Sequence, residues 1–135
     1  MSLAKVIEYW VNIIQQELGS FTDPKRVEEL MLLFDKGDQL RYFEIEDTGV
    51  FAYLITDDFK GGKCLSEIIF YIRPEHRGAV KLVKKYINKA EQIALENGCN
   101  CVKIGANIGF KDSSLIKLLR RWGYEYDTVS KPLGG

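Results

Sequence analysis

Hydrophobic positions along this chain fall into blocks whose repeat switches between about 3.6 residues and two. Val6, Ile7, Trp10, Ile13, Ile14 and Leu18 share one side of the stretch Leu3 to Leu18, which predicts an amphipathic helix ended by Gly19. Asp23 before Pro24 is an N-cap and first-turn signature. Val27, Leu30, Met31 and Phe34 carry a second helix to about Asp35, and Gly37-Asp38 breaks it. The repeat then drops to two. Leu40 to Glu46 and Val50 to Thr56 predict two strands joined by Asp47-Thr48-Gly49, and Asp57 to Lys63 predicts a polar loop.

The segment from Glu67 to Gly98 carries the most information. Ile68, Phe70 and Ile72 alternate with Glu67, Ile69 and Tyr71, so both faces of a third strand are largely apolar. Pro74 cannot donate to a ladder and ends it. Gly78 lets the backbone bend as a helix, Ala79 to Asn97, begins. Val80, Val83, Ile87, Ala90 and Ala94 make its buried face, and Gly98 suits a left-handed C-cap. Cys101 to Ile108 then predicts a strand, Ser113 to Trp122 a helix capped by Gly123, and Tyr124 to Ser130 a last strand. This order predicts an α/β (α+β) fold, a mixed sheet with helices on both faces. Glu67 to Ile108 should form a right-handed parallel crossover.

Composition narrows the class. The 135 residues suit one domain, 1–135. Nineteen basic and nineteen acidic residues cancel, leaving no field to attract nucleic acid or a membrane surface. The apolar runs Met31 to Phe34 and Val50 to Ile55 are too short to span a bilayer, and no signal peptide is visible. Three cysteines make no disulfide framework, which points to the cytoplasm.

Two features carry candidate chemistry. Amides at the start of the Ala79–Asn97 helix, directly after a buried strand, form an anion site through their donors and the helix dipole, with Arg77 and Lys81 assisting; the alternative is an ordinary strand-to-helix turn. Glu67 is a carboxylate in an apolar strand, either a proton acceptor or a strand residue reaching solvent or pairing with a lysine. His76 reads as an exposed turn residue within reach of a phosphate. No metal site is expected, because Cys64, Cys99, Cys101 and His76 lack ligand spacing. Lys84-Lys85 and Arg120-Arg121 read as solvated faces, and Trp10 and Trp122 as packing residues.

The blocks PEHRG, ENGC and SSLIKLLRRWGYEY, in this order across Gln39 to Leu133, resemble the GCN5-related N-acetyltransferases, in their short bacterial and phage forms. The resemblance implies an acyl-CoA N-acyltransferase-like fold with a mostly antiparallel sheet, residues 1–36 forming a helical part and 39–133 the sheet and cofactor-binding core. It implies two splayed parallel strands with acetyl-CoA in the gap, and acetyl transfer to an amine acceptor. Phe70, Tyr71 and Ile72 would meet the cofactor from the strand, with an amide near Ile72 bonding the acetyl carbonyl. Arg77, Gly78, Ala79, Val80, Lys81 and Leu82 would meet the pyrophosphate, and Asn107 the pantetheine arm. Glu67 would be the general base.

The chain departs from the family pattern at three places. Glu75 stands where Gln or Arg is usual, Val80 replaces a small residue, and Leu119 stands where a tyrosine donates a proton to the thiolate. The acid is therefore unassigned: either another group serves, or the thiolate leaves as such. The rival reading is a degenerate binding or interaction module of this fold, and a homodimer is left open.

Overall fold

The computed structural model describes residues 2–19, 21–37, 39–57, 60–105, 114–125, 131 and 133. Helices α1 (Leu3–Leu18) and α2 (Pro24–Lys36) come first. Strands β1 (Arg41–Phe43), β2 (Gly49–Asp57) and β3 (Lys63–Ile72) follow, then α3 (Val80–Glu96), β4 (Cys101–Lys103) and α4 (Ser114–Arg121). Local chemistry explains the ends. Ser2 and Asp23 cap α1 and α2 by accepting from the Lys5 and Arg26 amides, while Gly19 and Gly98 adopt positive φ where α1 and α3 stop.

The sheet runs β1-β2-β3-β4, antiparallel except for the parallel β3–β4 pair. This is the mixed, mostly antiparallel sheet that was expected. Helices cover both faces. On one, α3 and α4 bury Val83, Tyr86, Ile87, Leu115 and Leu119 against Phe43, Phe51, Leu65, Phe70 and Ile72. On the other, α1 and α2 bury Ile7, Trp10, Ile14 and Met31 against Val50, Ala52, Ile69 and Tyr71. A fully buried side chain of this size contributes about 1.5–3 kcal/mol, so each helix layer is fixed by a handful of contacts. Of the strand expected over Cys101 to Ile108, residues 106–108 lie outside the described residues. Of the strand expected from Tyr124, 126–130 do as well.

Two expectations need correction. The alternation of β3 is not continuous: Ala52 pairs with Ile69 but Tyr53 with Glu67, so Ile68 is the extra residue of a β-bulge. The bulge shifts the phase by one. Leu65 packs on the α3 face, as do Phe70 and Ile72, whereas Ile69 and Tyr71 pack against α1. Glu67 therefore shares its phase with Phe70 and Ile72 rather than with Ile69 and Tyr71.

The β1–β2 turn also sits earlier than Asp47-Thr48-Gly49. The Thr48 amide bonds the Ile45 carbonyl at 2.9 Å, and the central residues Glu46 and Asp47 have φ of 52° and 62°. Non-glycine residues there cost of order 1–3 kcal/mol each. Tertiary contacts offset this: the Tyr86 hydroxyl bonds the Ile45 amide and Thr48, and Arg73 bonds the Asp47 carbonyl. Gly49 is not a turn residue but the first residue of β2. A Cβ there would stand 2.1 Å from the Tyr71 carbonyl oxygen. Gly49→Ala should destabilise the protein by at least about 1–3 kcal/mol, the usual cost of overpacking, read from urea unfolding; an unchanged midpoint would refute this approach of β2 to β3.

Candidate active site

The site begins where the parallel pairing stops. Cys64, Leu65 and Ser66 pair with Cys101, Val102 and Lys103, and the ladder ends there while β3 continues to Ile72. Among the described residues β4 has no further partner on β3, and Ile104 and Gly105 are outside regular structure. The bulge at Ile68 lies just past this point. Among the described residues the parallel ladder thus covers only the first part of β3.

Glu67 stands just past the end of that pairing. Its Oε2 accepts the Gly105 amide at 3.1 Å, and its carboxylate also accepts the Phe70 amide. Burial pushes its pKa from 4.5 up to about 7; the two amides, which favour the charged form, pull back only part of the way. A carboxyl half charged near neutral pH can take a proton and give it up again.

Beyond Ile72 the chain makes one tight turn, Pro74–His76, closed by amide-to-carbonyl bonds from His76 to Arg73 and from Arg77 to Pro74. The N-cap of α3 is Ala79, which has no side chain to cap with. The Leu82 and Val83 amides bond the Ala79 carbonyl, but those of Gly78, Val80 and Lys81 have no backbone acceptor among the described residues. These donors lie on an exposed rim, with Val80 itself 50% exposed. A 17-residue helix thus presents its positive end uncapped. Gly78 does not have a positive φ, and a Cβ there would meet nothing within 4 Å. The expectation that Gly78 is needed for its own backbone is thus corrected.

The other cofactor candidates divide. Phe70 and Ile72 bury their side chains against α3. Leu82 is half-buried in that same core, while Ala79 and Lys81 are exposed. Tyr71 turns its ring to the α1 side. Its hydroxyl donates to Glu17 Oε1 at 2.9 Å, and burial, reinforced by Glu17, pushes its pKa up to about 12. The Arg77 guanidinium, expected at the pyrophosphate, is instead committed to α1: Nε donates to the Ile72 carbonyl at 2.9 Å, and Nη1 to Glu17 Oε2 at 3.1 Å. It also lies over the Tyr71 ring, 5.3 Å from its centre. Asn107 lies outside the described residues. His76 is half-buried in the turn.

Leu119 is buried in the core and donates nothing. Tyr124, the nearest tyrosine in sequence, gives its hydroxyl to Glu91 at 2.8 Å, and burial with this bond raises its pKa far above neutrality. The bond ties the chain just after α4 to α3. Among the described residues no group of three or more His, Cys, Asp or Glu could hold a metal, and no helix is long and apolar enough to cross a membrane.

Sequence reasoning missed Glu17, Arg73 and the Gly105 amide. Arg73 donates to the Asp47 carbonyl at 2.7 Å and to Asp47 Oδ1 at 2.9 Å, with its guanidinium 5.0 Å from the centre of the Trp10 ring. No local signal marks these, because each partner is remote in the chain.

No family model matches the sequence, and no curated protein does. Solved structures do match in fold. A predicted acetyltransferase with acetyl-CoA from Clostridium acetobutylicum superposes with a TM-score of 0.70 at 13% identity, covering 98% of this chain and 92% of that one. Glucosamine-6-phosphate N-acetyltransferase from Arabidopsis thaliana gives 0.64 at 12%, covering 99% and 95%. A transcriptional regulator from Bacillus halodurans gives 0.69 at 10%, covering 99% and 96%. The chain has the fold of the GCN5-related N-acetyltransferases.

The partly buried carboxyl has a consequence for stability. Its folded pKa lies above its unfolded value, so the folded state holds the proton more tightly, and stability is lost as pH rises from 4.5 through about 7. Glu67→Gln should therefore gain on the wild type across that window. The difference should level off above it at no more than about 3 kcal/mol. Parallel melting curves from pH 4 to pH 9 that never diverge would contradict the burial of this group.

Proposed function

We propose that this protein is an N-acetyltransferase that transfers the acetyl group of acetyl-CoA to an amine. The observation that carries the reading is the end of the β3–β4 pairing at Ser66 and Lys103, with Glu67 just past it and the uncapped start of α3 following the end of β3. The amides of Gly78, Val80 and Lys81 would receive the pyrophosphate, helped by the helix dipole and the Lys81 charge. Gly78 leaves the approach open. The thioester would lie along β3, its carbonyl bonded by a strand amide.

Glu67 acts on the acceptor. An alkylammonium, with a pKa near 10.4, has no lone pair to attack with at neutral pH. Glu67 takes one proton, directly or through water, nitrogen forms a bond to the acetyl carbon as the carbon–sulfur bond breaks, and the second proton on nitrogen passes to solvent water. The CoA thiolate leaves as the anion, since a thiol pKa around 8.5 makes this inexpensive. Positioning and the amide bond to the developing oxyanion supply the rest.

Helices α1 and α2 would form a wall of the acceptor site. Glu8 and Asn12 line an open groove between them with Lys25, Glu28 and Glu29, and Asp35 is exposed outside it. The rival reading, an interaction module that retains the fold, draws on Leu119 in place of a donor and on Arg77 held by Glu17.

Calorimetric titration decides the cofactor: acetyl-CoA should bind with micromolar-range affinity, and no heat at millimolar ligand would refute the proposal. Gly78→Val tests the turn. Its stability should stay within about 0.5 kcal/mol, as for a surface change, while acetyl-CoA binding weakens by about 1–3 kcal/mol from overpacking against the ligand. Unaltered affinity would leave Gly78 as a turn and nothing more. With an accepted amine, Glu67→Gln should lower turnover by around 10²–10⁴-fold. The wild-type rate should rise as pH passes about 7, where Glu67 loses its proton, and the variant should lack that rise. Equal rates in the two proteins would remove Glu67 from the chemistry.

A further inference from the structure

We propose that Glu17 and Arg77 are positioning residues: together they set the turn that presents the Gly78, Val80 and Lys81 amides to the pyrophosphate, and neither touches the ligand. The inference rests on the acetyl-CoA reading above and deepens it. Arg73 to Leu82 separate the buried Ile72 from the buried Val83, and none of the residues between is itself buried. Leu82 alone reaches the core, half-buried, after the helix has begun. No buried side chain anchors the turn, so its shape depends on polar bonds. Amide-to-carbonyl bonds from His76 to Arg73, from Arg77 to Pro74 and from Ala79 to His76 close it locally. The arginines at its two ends tie it to elements remote in the chain.

Arg73 secures the entry, with its amide on the Thr48 carbonyl at 2.8 Å and its guanidinium on Asp47. Arg77 secures the exit. Its Nε donates to the Ile72 carbonyl at 2.9 Å, Nη1 to Glu17 Oε2 at 3.1 Å, and Nη2 to Glu17 Oε1. A planar guanidinium bound on three sides in this way is fixed in direction, which a lysine ammonium cannot reproduce. Glu17 stands in the last turn of α1, where the helix dipole disfavours a carboxylate and no basic residue of that turn compensates. What it receives accounts for its place: Arg77, and the Tyr71 hydroxyl at 2.9 Å. Arg77 immediately precedes Gly78. Its anchor on α1 therefore fixes the backbone one residue before the first of the three amides.

The test is calorimetric titration with acetyl-CoA on wild type, Glu17→Gln, Arg77→Lys and the double variant. It is paired with the amide NMR shifts of Gly78, Val80 and Lys81, before and after inorganic pyrophosphate is added. Glu17→Gln removes the charge and leaves an acceptor for Tyr71, whereas Arg77→Lys keeps the charge and loses the fork. Each should weaken acetyl-CoA binding by about tenfold, the factor a lost charge-assisted hydrogen bond gives. The double variant should lose no more than the weaker single, because the pair acts as one unit. In both singles the three amides should differ from wild type without ligand and respond less to pyrophosphate, which a loss of overall stability would not produce. A direct phosphate contact by Arg77 predicts the reverse: Arg77→Lys keeps its affinity, and Glu17→Gln binds tighter as the released guanidinium turns to the ligand. That pattern, wild-type affinity in either folded single variant, or additive losses in the double variant overturns the positioning while the acetyl-CoA reading stands. If one single variant fails to fold, the other decides. Absence of acetyl-CoA binding by wild type overturns both.

Discussion

A backbone amide that leaves a sheet ladder must find another acceptor, and in this protein β3 leaves its parallel ladder halfway along. Among the described residues pairing with β4 ends at Ser66 and Lys103, while β3 runs on to Ile72 along β2. The bulge at Ile68 falls just beyond that point, so strand separation and phase shift occur together. The α3 face and the position of Glu67 both follow from this coincidence. Had β3 stayed regular, Glu67 would lie in phase with Ile69 and Tyr71, under α1, where burial between apolar side chains would be far costlier.

The carboxylate is tolerated because its environment is only partly apolar. Two amides favour its charged form, and burial disfavours it more strongly, which leaves the group poised near neutrality. Such poising is what proton transfer needs, and it is a recurrent sign of a functional site. Stability is given up for it, since an apolar residue at the same place would not lose stability as pH rises.

Helix α1 anchors the far end of the site. Glu17 receives both the Tyr71 hydroxyl and the Arg77 guanidinium, and Arg73 lies over Trp10 while bonding Asp47. Cation–π contacts of this kind contribute about 0.5–1 kcal/mol when exposed, so their value is geometric more than energetic. They fix the Pro74–His76 turn from both sides, and the direction in which α3 presents its first amides follows. Tyr86 does the same for the left-handed residues Glu46 and Asp47 from the opposite face of the sheet.

The sequence by itself determined the kinds of element and their order. Apolar spacing marked α1, α2 and α3, alternation marked β2 and β3, and Pro74 with Gly98 marked where α3 lies between them. It also displayed the carboxylate at Glu67 and the uncapped turn around Gly78, because both depend on residues adjacent in the chain. Tertiary structure alone decided the rest. The bulge depends on how β2 meets β3, and Gly49 belongs to β2 because Tyr71 lies against it, not because a turn requires it. Arg77 turned to α1 because Glu17, sixty positions away, was brought beside it. Glu67 found Gly105, thirty-eight positions on, for the same reason. Periodicity records which face of an element is buried; it carries no information about which distant polar group will be waiting there.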